Sequence, residues 1–120
     1  MSAASQRLGL LGERIAARWL VRRGWKVLAH RFKSGRRDLD LIVEREGIVA
    51  FVEVKARRGV EFGDPVEAVH WRKQRELSRS AAVWIDRHGD NRDYRFDVIG
   101  VLMDGDAVRI RHVENAFSLS

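Results

Sequence analysis

Residues 50–57 of the chain read AFVEVKAR, and this stretch decides the fold. Its phenylalanine and valines suit the interior of a sheet, whereas Glu53 and Lys55 place a carboxylate and an ammonium group among them. Successive side chains of a strand point to opposite faces, so Glu53 and Lys55 share one face and the two valines take the other. The stretch therefore predicts a core strand that carries charge on one of its faces.

The rest of the chain divides into segments of helical or strand periodicity. A first helix is predicted over residues 5–23. A second helical region begins at Asp64 and Pro65, a capping residue followed by a first-position proline, and runs to about residue 87, with room for a break near His70. The predicted strands are 25–32, 38–44, 48–57, 94–102 and 107–113.

The order helix, three strands, helix, two strands predicts an α/β fold with a mixed β-sheet flanked by helices. The strand after the second helix can lie parallel to an earlier strand through a right-handed crossover. The 120 residues suit a single domain, with an ordered core expected over about residues 6–117.

The composition of the chain limits where the protein is expected to be located and which kinds of site it can contain. No apolar run approaches the roughly 20 residues that cross a bilayer, and the first residues lack the layout of a signal peptide, so we expect a cytoplasmic protein with no membrane partner. The chain has no cysteine, which excludes disulfides and zinc–thiolate sites. Without cysteine, a metal would be held by oxygen or imidazole ligands, and the four histidines show no zinc-type spacing.

Alternation in the strand 38–44 predicts two faces. The predicted faces are Leu39, Leu41 and Val43 on one side and Asp38, Asp40 and Ile42 on the other. A short turn at residues 45–47 joins this strand to the next, and the two should pair antiparallel. Asp40 would then converge with Glu53 and Lys55.

Two carboxylates in a partly apolar setting are costly unless a cation joins them. Mg²⁺, or Mn²⁺ in its place, suits such a pair because it takes hard oxygen ligands and leaves positions open for phosphate oxygens. In phosphodiester hydrolysis such an ion activates water, and Lys55 would add a fixed positive charge. Glu13, on the margin of the first helix's apolar stripe, could point into the same cleft. An ordinary solvated strand face with a Glu53–Lys55 ion pair is an equally open interpretation.

Basic residues exceed acidic ones by 23 to 17, which gives a formal charge of +6. This balance favours a polyanionic partner such as DNA, although charge alone fits a basic soluble protein equally well. We expect phosphate contacts from a turn before Asp40 and from the second helix, whose alternative is a solvated face paired with Glu76. The candidate contacts are Arg31, Lys33, Arg36 and Arg37 on the turn, Arg57 on the strand, and Arg72, Lys73, Arg75 and Arg79 on the helix.

Aromatic and remaining polar residues yield weaker expectations. Trp19 and Trp84 occupy apolar helical positions and should be core. Trp25 and Trp71 border basic residues and are candidates for stacking on an unpaired base. Asp97 is expected to pair with a nearby arginine. His70 and His112 are candidates to line the site, without a spacing that demands it.

Asp40 followed, after a hairpin, by Glu53-Val54-Lys55 resembles the D…ExK core of the PD-(D/E)XK nuclease superfamily. A wider set of motifs resembles the bacterial YraN family, which is similar to archaeal Holliday junction resolvases. These motifs are Gly12-Glu13, residues 38–42 (DLDLI), residues 51–57 (FVEVKAR), Phe62-Gly63, residues 73–75 (KQR), residues 95–98 (RFDV) and residues 115–117 (NAF).

This resemblance implies a restriction-endonuclease-like fold, a magnesium-dependent nuclease centre and a DNA substrate, branched or single-stranded. It implies that Asp40 and Glu53 are metal ligands, that Lys55 is the catalytic lysine, and that Glu13 is a further acidic residue of the site. It also implies a homodimer, since resolvases of this kind cut two symmetrically placed strands.

The chain departs from the family pattern directly before Asp40. Where the family reads GEIDLI, residues 37–42 read RDLDLI, so Arg37 replaces a glycine and Asp38 a glutamate. Two other classes of function stay open beside an endonuclease. One is a nucleic-acid-binding module that has lost catalysis, and the other is a scaffold in a DNA-processing assembly.

Overall fold

A computed structural model describes residues 2–59, 63, 65–89 and 91–118. Its sheet has five strands in the order β1-β2-β3-β4-β5, and only β3 and β4 run parallel. The elements are α1 (Ala3–Arg22), β1 (Lys26–Phe32), β2 (Leu39–Arg45), β3 (Ile48–Arg58), a 3₁₀ turn (Pro65–Ala68), α2 (Trp71–His88), β4 (Asp93–Asp104) and β5 (Ala107–Phe117). The α/β mixed sheet with flanking helices, consistent with a restriction-endonuclease-like fold, is confirmed.

Each helix covers one face of the sheet. Helix α1 buries Ala16, Ala17 and Leu20 against a cluster that includes the valines at 52 and 54 of β3. Helix α2 buries Leu77, Ala81 and Trp84 against the opposite face, which includes Phe51. Because a helix covers each face of β3, its apolar side chains are buried on both faces. This is the usual situation of a strand with a parallel neighbour, here β4.

The second helical region is divided in two, as its sequence allows. After the 3₁₀ turn the chain extends at His70, whose Nδ1 accepts a hydrogen bond from the Arg72 N–H at 3.2 Å and so caps α2. This position makes His70 a cap rather than a member of the charged site. The predicted cap at Asp64 and the motif residue Phe62 lie outside the described residues.

A tight hairpin aligns β2 with β3. Arg45 pairs with Ile48, and the two residues between them, Glu46 and Gly47, have φ values of 52° and 79°. Positive φ at both central residues is the geometry of a type I′ turn, which matches the twist of the flanking strands. The hairpin predicted from residues 45–47 is therefore confirmed, and it sets the register of Asp40 relative to Glu53.

One predicted face of β2 is wrong. Leu41 and Val43 pack on the α1 side as expected, but Leu39 packs with Ile42 in the cluster beneath α2. The described register of β2 with β3 ends at the Leu41–Val52 pair, whereas Leu39 is paired with Phe32 of β1. At Leu39 the strand is therefore paired along one edge, and its facing is less strongly specified than where both neighbours pair.

Strand β4 carries the buried polar residue that the sequence pairs with an arginine. Asp97 is fully buried and is bound by Arg95 at 2.9 Å and by His112 at 2.7 Å. Burial raises the pKa of Asp97, but hydrogen bonds from His112, Asn115 and Arg95 outweigh it and hold the pKa below its usual value. The predicted Asp97–arginine pair is confirmed, and it engages His112 on the α1 side of the sheet.

Three of the four tryptophans pack against apolar side chains. Trp25 and Trp84 are each 4% exposed, and Trp19 packs partly buried against the α1 cluster with its ring edge on His112. The expectation that Trp25 stacks on a base is wrong, because the ring is buried beneath α1. Across the described residues, neither helix is both long and apolar enough to cross a membrane.

Helix α1 approaches β3 so closely at Gly12 that we expect Gly12→Ala to destabilise the protein by about 1–3 kcal/mol. A Cβ at residue 12 would lie 2.5 Å from the Cβ of Ala56, so helix and strand would have to separate. Gly9 is the matched control in the same helix, since a Cβ there meets nothing within 4 Å. Gly9→Ala should stabilise by up to about 1 kcal/mol through helix propensity. Urea unfolding measures both variants, and shifts of the same sign would contradict the close packing.

Candidate active site

The predicted acidic residues and Lys55 converge in one cleft of about 620 Å³ at the end of the β2–β3 pair. The first half of α1 forms one wall, and the first turn of α2 contributes Lys73. The residues that line it are Ser5, Gln6, Gly9, Leu10, Glu13, Arg31, Asp40, Glu53, Val54, Lys55 and Lys73. The charged face of β3 thus opens into a concave space rather than onto a flat solvated surface.

Asp40 lies where β2 and β3 stop pairing. Its Oδ2 accepts a hydrogen bond from the backbone N–H of Val54 at 2.8 Å, one residue past Glu53. Because the described ladder ends at Leu41–Val52, this carboxylate satisfies an N–H beyond the last backbone pair. The bond fixes the Asp40 carboxylate beside β3, next to Glu53.

The carboxyl groups of Asp40 and Glu53 shift each other's pKa. Burial raises the pKa of Asp40 to about 8, and the adjacent Glu53 adds to the rise by its charge and by a hydrogen bond. Burial also acts to raise the pKa of Glu53, but hydrogen bonds from Asp40 and Lys73 and the charge of Lys55 bring it below its usual value. The pKa values of the two carboxyl groups are therefore shifted in opposite directions, and Asp40 is the weaker acid of the pair.

Two lysines, one on β3 and one on α2, pair with the Glu53 carboxylate. The Nζ of Lys55, on β3, lies 3.4 Å from Oε2 of Glu53, and the Nζ of Lys73, on α2, contacts the same oxygen more closely. The Glu53 side chain is only 6% exposed. Burial lowers the pKa of Lys55, and the neighbouring Lys73 adds to the lowering. A buried carboxylate with two ammonium groups is a site built around charge compensation.

Lys73 is the site residue whose position the sequence did not anticipate. It was grouped with Arg72 and Arg75 as a phosphate contact on the second helix, but the structure turns it inward to Glu53. A signal was available, because Lys73 lies four residues after Val69 and four residues before Leu77, both of which are buried in the cluster beneath α2. A lysine at a core-facing position needs a buried anion as its partner.

Glu13 reaches the cleft from α1, as the margin of its apolar stripe suggests. Its carboxylate is bound by Nη2 of Arg31 at 3.0 and 3.3 Å, and its charge contributes to raising the pKa of Asp40. Arg31, expected to contact phosphates, thus neutralises Glu13 instead. Within the described residues, no group of three or more acidic or histidine side chains is close enough to hold a metal ion.

The donor set nonetheless fits magnesium. Mg²⁺ keeps several waters and needs only one or two protein carboxylates, which Asp40 and Glu53 supply. A divalent ion would offset both the burial and the negative charge of Glu53 that raise the pKa of Asp40. It would compete with Lys73 for Oε2 of Glu53.

The other basic candidates divide between two places. Lys33 and Arg57 are exposed near the ends of β1 and β3. The turn before β2 and the helix α2 instead come together around Trp71 in a second cleft, which we call the α2 basic cleft. The α2 basic cleft is lined by Arg36, Trp71, Arg72, Arg75, Glu76 and Arg79. Glu76 is bound not by a neighbour on its own helix but by Arg37 of the turn, at 3.0 Å.

Comparison with known proteins gives a family without an assigned activity. Residues 12–101 match the sequence model of "Uncharacterised protein family UPF0102", the YraN family. A UPF0102 protein of Trichlorobacter lovleyi is 42% identical over 119 residues, 97% of this chain and 94% of that protein. A UPF0102 protein of Alkaliphilus metalliredigens is 41% identical over 94% of this chain and 99% of its own length. One of Symbiobacterium thermophilum is 43% identical over 94% and 98%.

Proposed function

The chain belongs to the UPF0102 family, and we propose that it is a metal-dependent endonuclease that hydrolyses phosphodiester bonds in DNA. One observation carries the proposal. Asp40, Glu53 and Lys55 line one cleft at the point where β2 and β3 separate, with Asp40 held by the Val54 N–H and Glu53 bound by Lys55. Buried carboxylates with strongly shifted pKa values beside a lysine are uncommon as structural features and frequent at catalytic sites.

The residues of the cleft suit distinct roles. Asp40 and Glu53 would hold Mg²⁺ or Mn²⁺, which when bound lowers the pKa of a water nucleophile and offsets charge at the scissile phosphate. The Val54 N–H would keep the Asp40 carboxylate in place. Lys55 would direct its ammonium group at the charge that develops on the phosphate oxygens. Glu13, already neutralised by Arg31, would contribute a wall rather than a ligand.

Net charge and its placement support a DNA substrate. The chain carries a formal charge of +6, and arginines of the turn and of α2 line a cleft at the same end of α2 as Lys73. Contacts from such arginines would fix the register of a phosphate backbone without reading its sequence. A homodimer stays a prediction from the resemblance to resolvases.

A second candidate is a DNA-binding module without cleavage, and the Lys73–Glu53 contact favours it. Lys73 already supplies the positive charge that a metal ion would bring to Glu53. Purified protein incubated with Mg²⁺ or Mn²⁺ and a panel of single-stranded, forked and four-way DNA separates the two. Metal-dependent products that disappear in Glu53→Gln support the endonuclease. Gel shifts without products support the binding module. If the protein neither cuts nor binds these substrates, only the scaffold interpretation is left.

The turn that precedes β2 should contribute to the salt dependence of DNA binding. We expect Arg36→Ala with Arg37→Ala to reduce the slope of log affinity against log salt by about one to two units. Most of the change should come from Arg36, because Glu76 already neutralises Arg37. Fluorescence anisotropy over a range of salt concentrations measures the slope. Arg14→Ala with Arg18→Ala, exposed on α1, is the control of equal charge, and an equal effect in both pairs would contradict a local contact.

A further inference from the structure

We propose that Trp71 and the arginines around it form a stacking platform for an unpaired base, so that the DNA presented to the active site is single-stranded next to the scissile phosphate. This inference rests on the proposed function, because it names the form of DNA that Asp40 and Glu53 would act on. It specifies a binding site that catalysis itself does not require.

Trp71 differs from the other tryptophans in its exposure. Its side chain is 59% exposed, whereas Trp25 and Trp84 are each 4% exposed. A large aromatic ring in water has no folding advantage, since burial of its apolar surface is what stabilises a fold. Trp71 is also the first residue of α2, where the capped backbone holds its position. The ring is thus available to a ligand, and the backbone that carries it is held in place.

The surroundings of Trp71 are cationic. The guanidinium groups of Arg72 and Arg75 lie 5.5 and 5.9 Å from the ring centroid, and Arg36 and Arg79 line the same cleft. The nearby Glu76 is paired with Arg37, so the charges of these two residues cancel and the surroundings of Trp71 stay positive. An exposed ring flanked by guanidinium groups matches the recurrent pattern for single-stranded nucleic acid, in which bases stack on aromatics while cations follow the phosphates.

The platform lies on the helix that also enters the active site. Lys73 contacts Glu53, and Trp71 is two residues earlier in the same first turn. At about 100° per residue the two side chains leave opposite sides of α2, whose diameter with side chains is about 10–12 Å. A strand that passes over the start of α2 would therefore reach Trp71 a few nucleotides from the active site.

Duplex DNA cannot use such a ring, because its bases are paired and stacked inside the helix. An unpaired nucleotide exposes a π-face that any of the four bases can offer. The α2 basic cleft therefore favours single strands, flaps and forks over continuous duplex, with little dependence on sequence. Phosphate contacts from Arg72 and Arg75 would add affinity for either form.

The test compares binding of one fluorescent 20-mer, single-stranded or in duplex, in buffer with EDTA so that cleavage does not intervene. We expect Trp71→Ala to weaken single-strand binding by about 5- to 100-fold, and duplex binding by less than about twofold. Trp71→Phe should keep most of the affinity, because phenylalanine retains a stacking face. Val21→Ala, which shortens a 55% exposed apolar side chain on α1, is the control and should change neither value.

Two further measurements separate stacking from a general loss of charge or fold. Trp71→Ala should leave the salt slope unchanged, whereas Arg72→Ala with Arg75→Ala should lower it by about one to two units. Tryptophan fluorescence should be quenched by the single strand in wild type, and this quenching should be lost in Trp71→Phe. Equal losses on single strand and duplex, or unaltered single-strand binding by Trp71→Ala, would overturn the platform.

The outcome is distinct from that of the proposed function. If Trp71→Ala binds single strands like wild type while the protein cuts DNA with Mg²⁺, the platform is wrong and the endonuclease stands. If single-strand binding depends on Trp71 but no metal produces cleavage, the platform stands and the endonuclease is wrong.

Discussion

Glu53→Gln should reduce metal-dependent DNA cleavage by at least about a thousandfold while the chain stays folded. Glutamine keeps the shape of the side chain but removes the negative charge that would hold a divalent ion. Glu53 is only 6% exposed and is compensated by two lysines, so the substitution also leaves Lys55 and Lys73 with like charges and no anion between them. Loss of activity is thus expected for two reasons. The divalent ion would lose Glu53 as a ligand, and repulsion from Lys73 would displace Lys55.

Lys55→Ala should lower cleavage to a similar extent by a different route. Its ammonium group would act on the phosphate, so the variant should still bind Mn²⁺, whereas Glu53→Gln should not. Calorimetric titration with Mn²⁺ in the absence of DNA separates the two effects. The neutral control is Glu67→Gln, an exposed glutamate of the 3₁₀ turn. Wild-type cleavage by Glu53→Gln would place the activity outside this cleft.

Asp40→Asn should remove a pH dependence of stability that the wild-type protein shows in EDTA between about pH 5 and pH 8. The pKa of Asp40 rises from 3.8 to about 8 on folding, so between these values the folded state holds a proton that the unfolded state has lost. The free energy of unfolding therefore falls as the pH rises through this window. Asparagine has no proton to lose, and its variant should lack the decline.

The expected difference between the two proteins is on the order of a few kcal/mol from pH 5 to pH 8. Glu53 contributes to the pH dependence of stability with the opposite sign, because its pKa is lowered on folding. Its contribution is lost as the pH falls below about 4.5, which is outside the window from pH 5 to pH 8. The other ionisable side chains are present in both proteins, so the comparison isolates the contribution of Asp40. Urea unfolding at pH 5 and pH 8 makes the measurement, with Asp38→Asn as the exposed neighbouring control. Parallel curves for wild type and Asp40→Asn would show that Asp40 is ionised in the folded protein.

The local pattern of the chain was sufficient for most elements. Both helices, the five strands and the hairpin at Glu46 and Gly47 follow from periodicity and turn residues. The ends of the last two strands were placed too early, because β4 continues to Asp104 and β5 to Phe117. Part of β5 is held by Asn115, whose N–H donates to the buried Asp97 at 3.0 Å. The local periodicity of the sequence does not indicate a hydrogen-bond partner that is so distant along the chain.

The residues of the candidate site were predictable to the extent that they lie on paired strands. Alternation placed Glu53 and Lys55 on one face, and the hairpin carried Asp40 to them. The same logic failed at Leu39, where the described pairing of β2 with β3 has ended. It also assigned Lys73 to a phosphate-binding face, since a helix periodicity does not say which buried anion a core-facing lysine will meet.

By itself, the sequence determined the α/β order of elements, the charged face of β3 and the meeting of Asp40 with Glu53 and Lys55, because each follows from spacing along one strand or one hairpin. Only the tertiary structure decided how that site is charged. The docking of α2 brings Lys73 to Glu53, and burial raises the pKa of Asp40. The same docking gathers the arginines of the turn and of α2 around an exposed Trp71. Desolvation and contacts between distant elements set these properties, and neither has a period that a sequence can display.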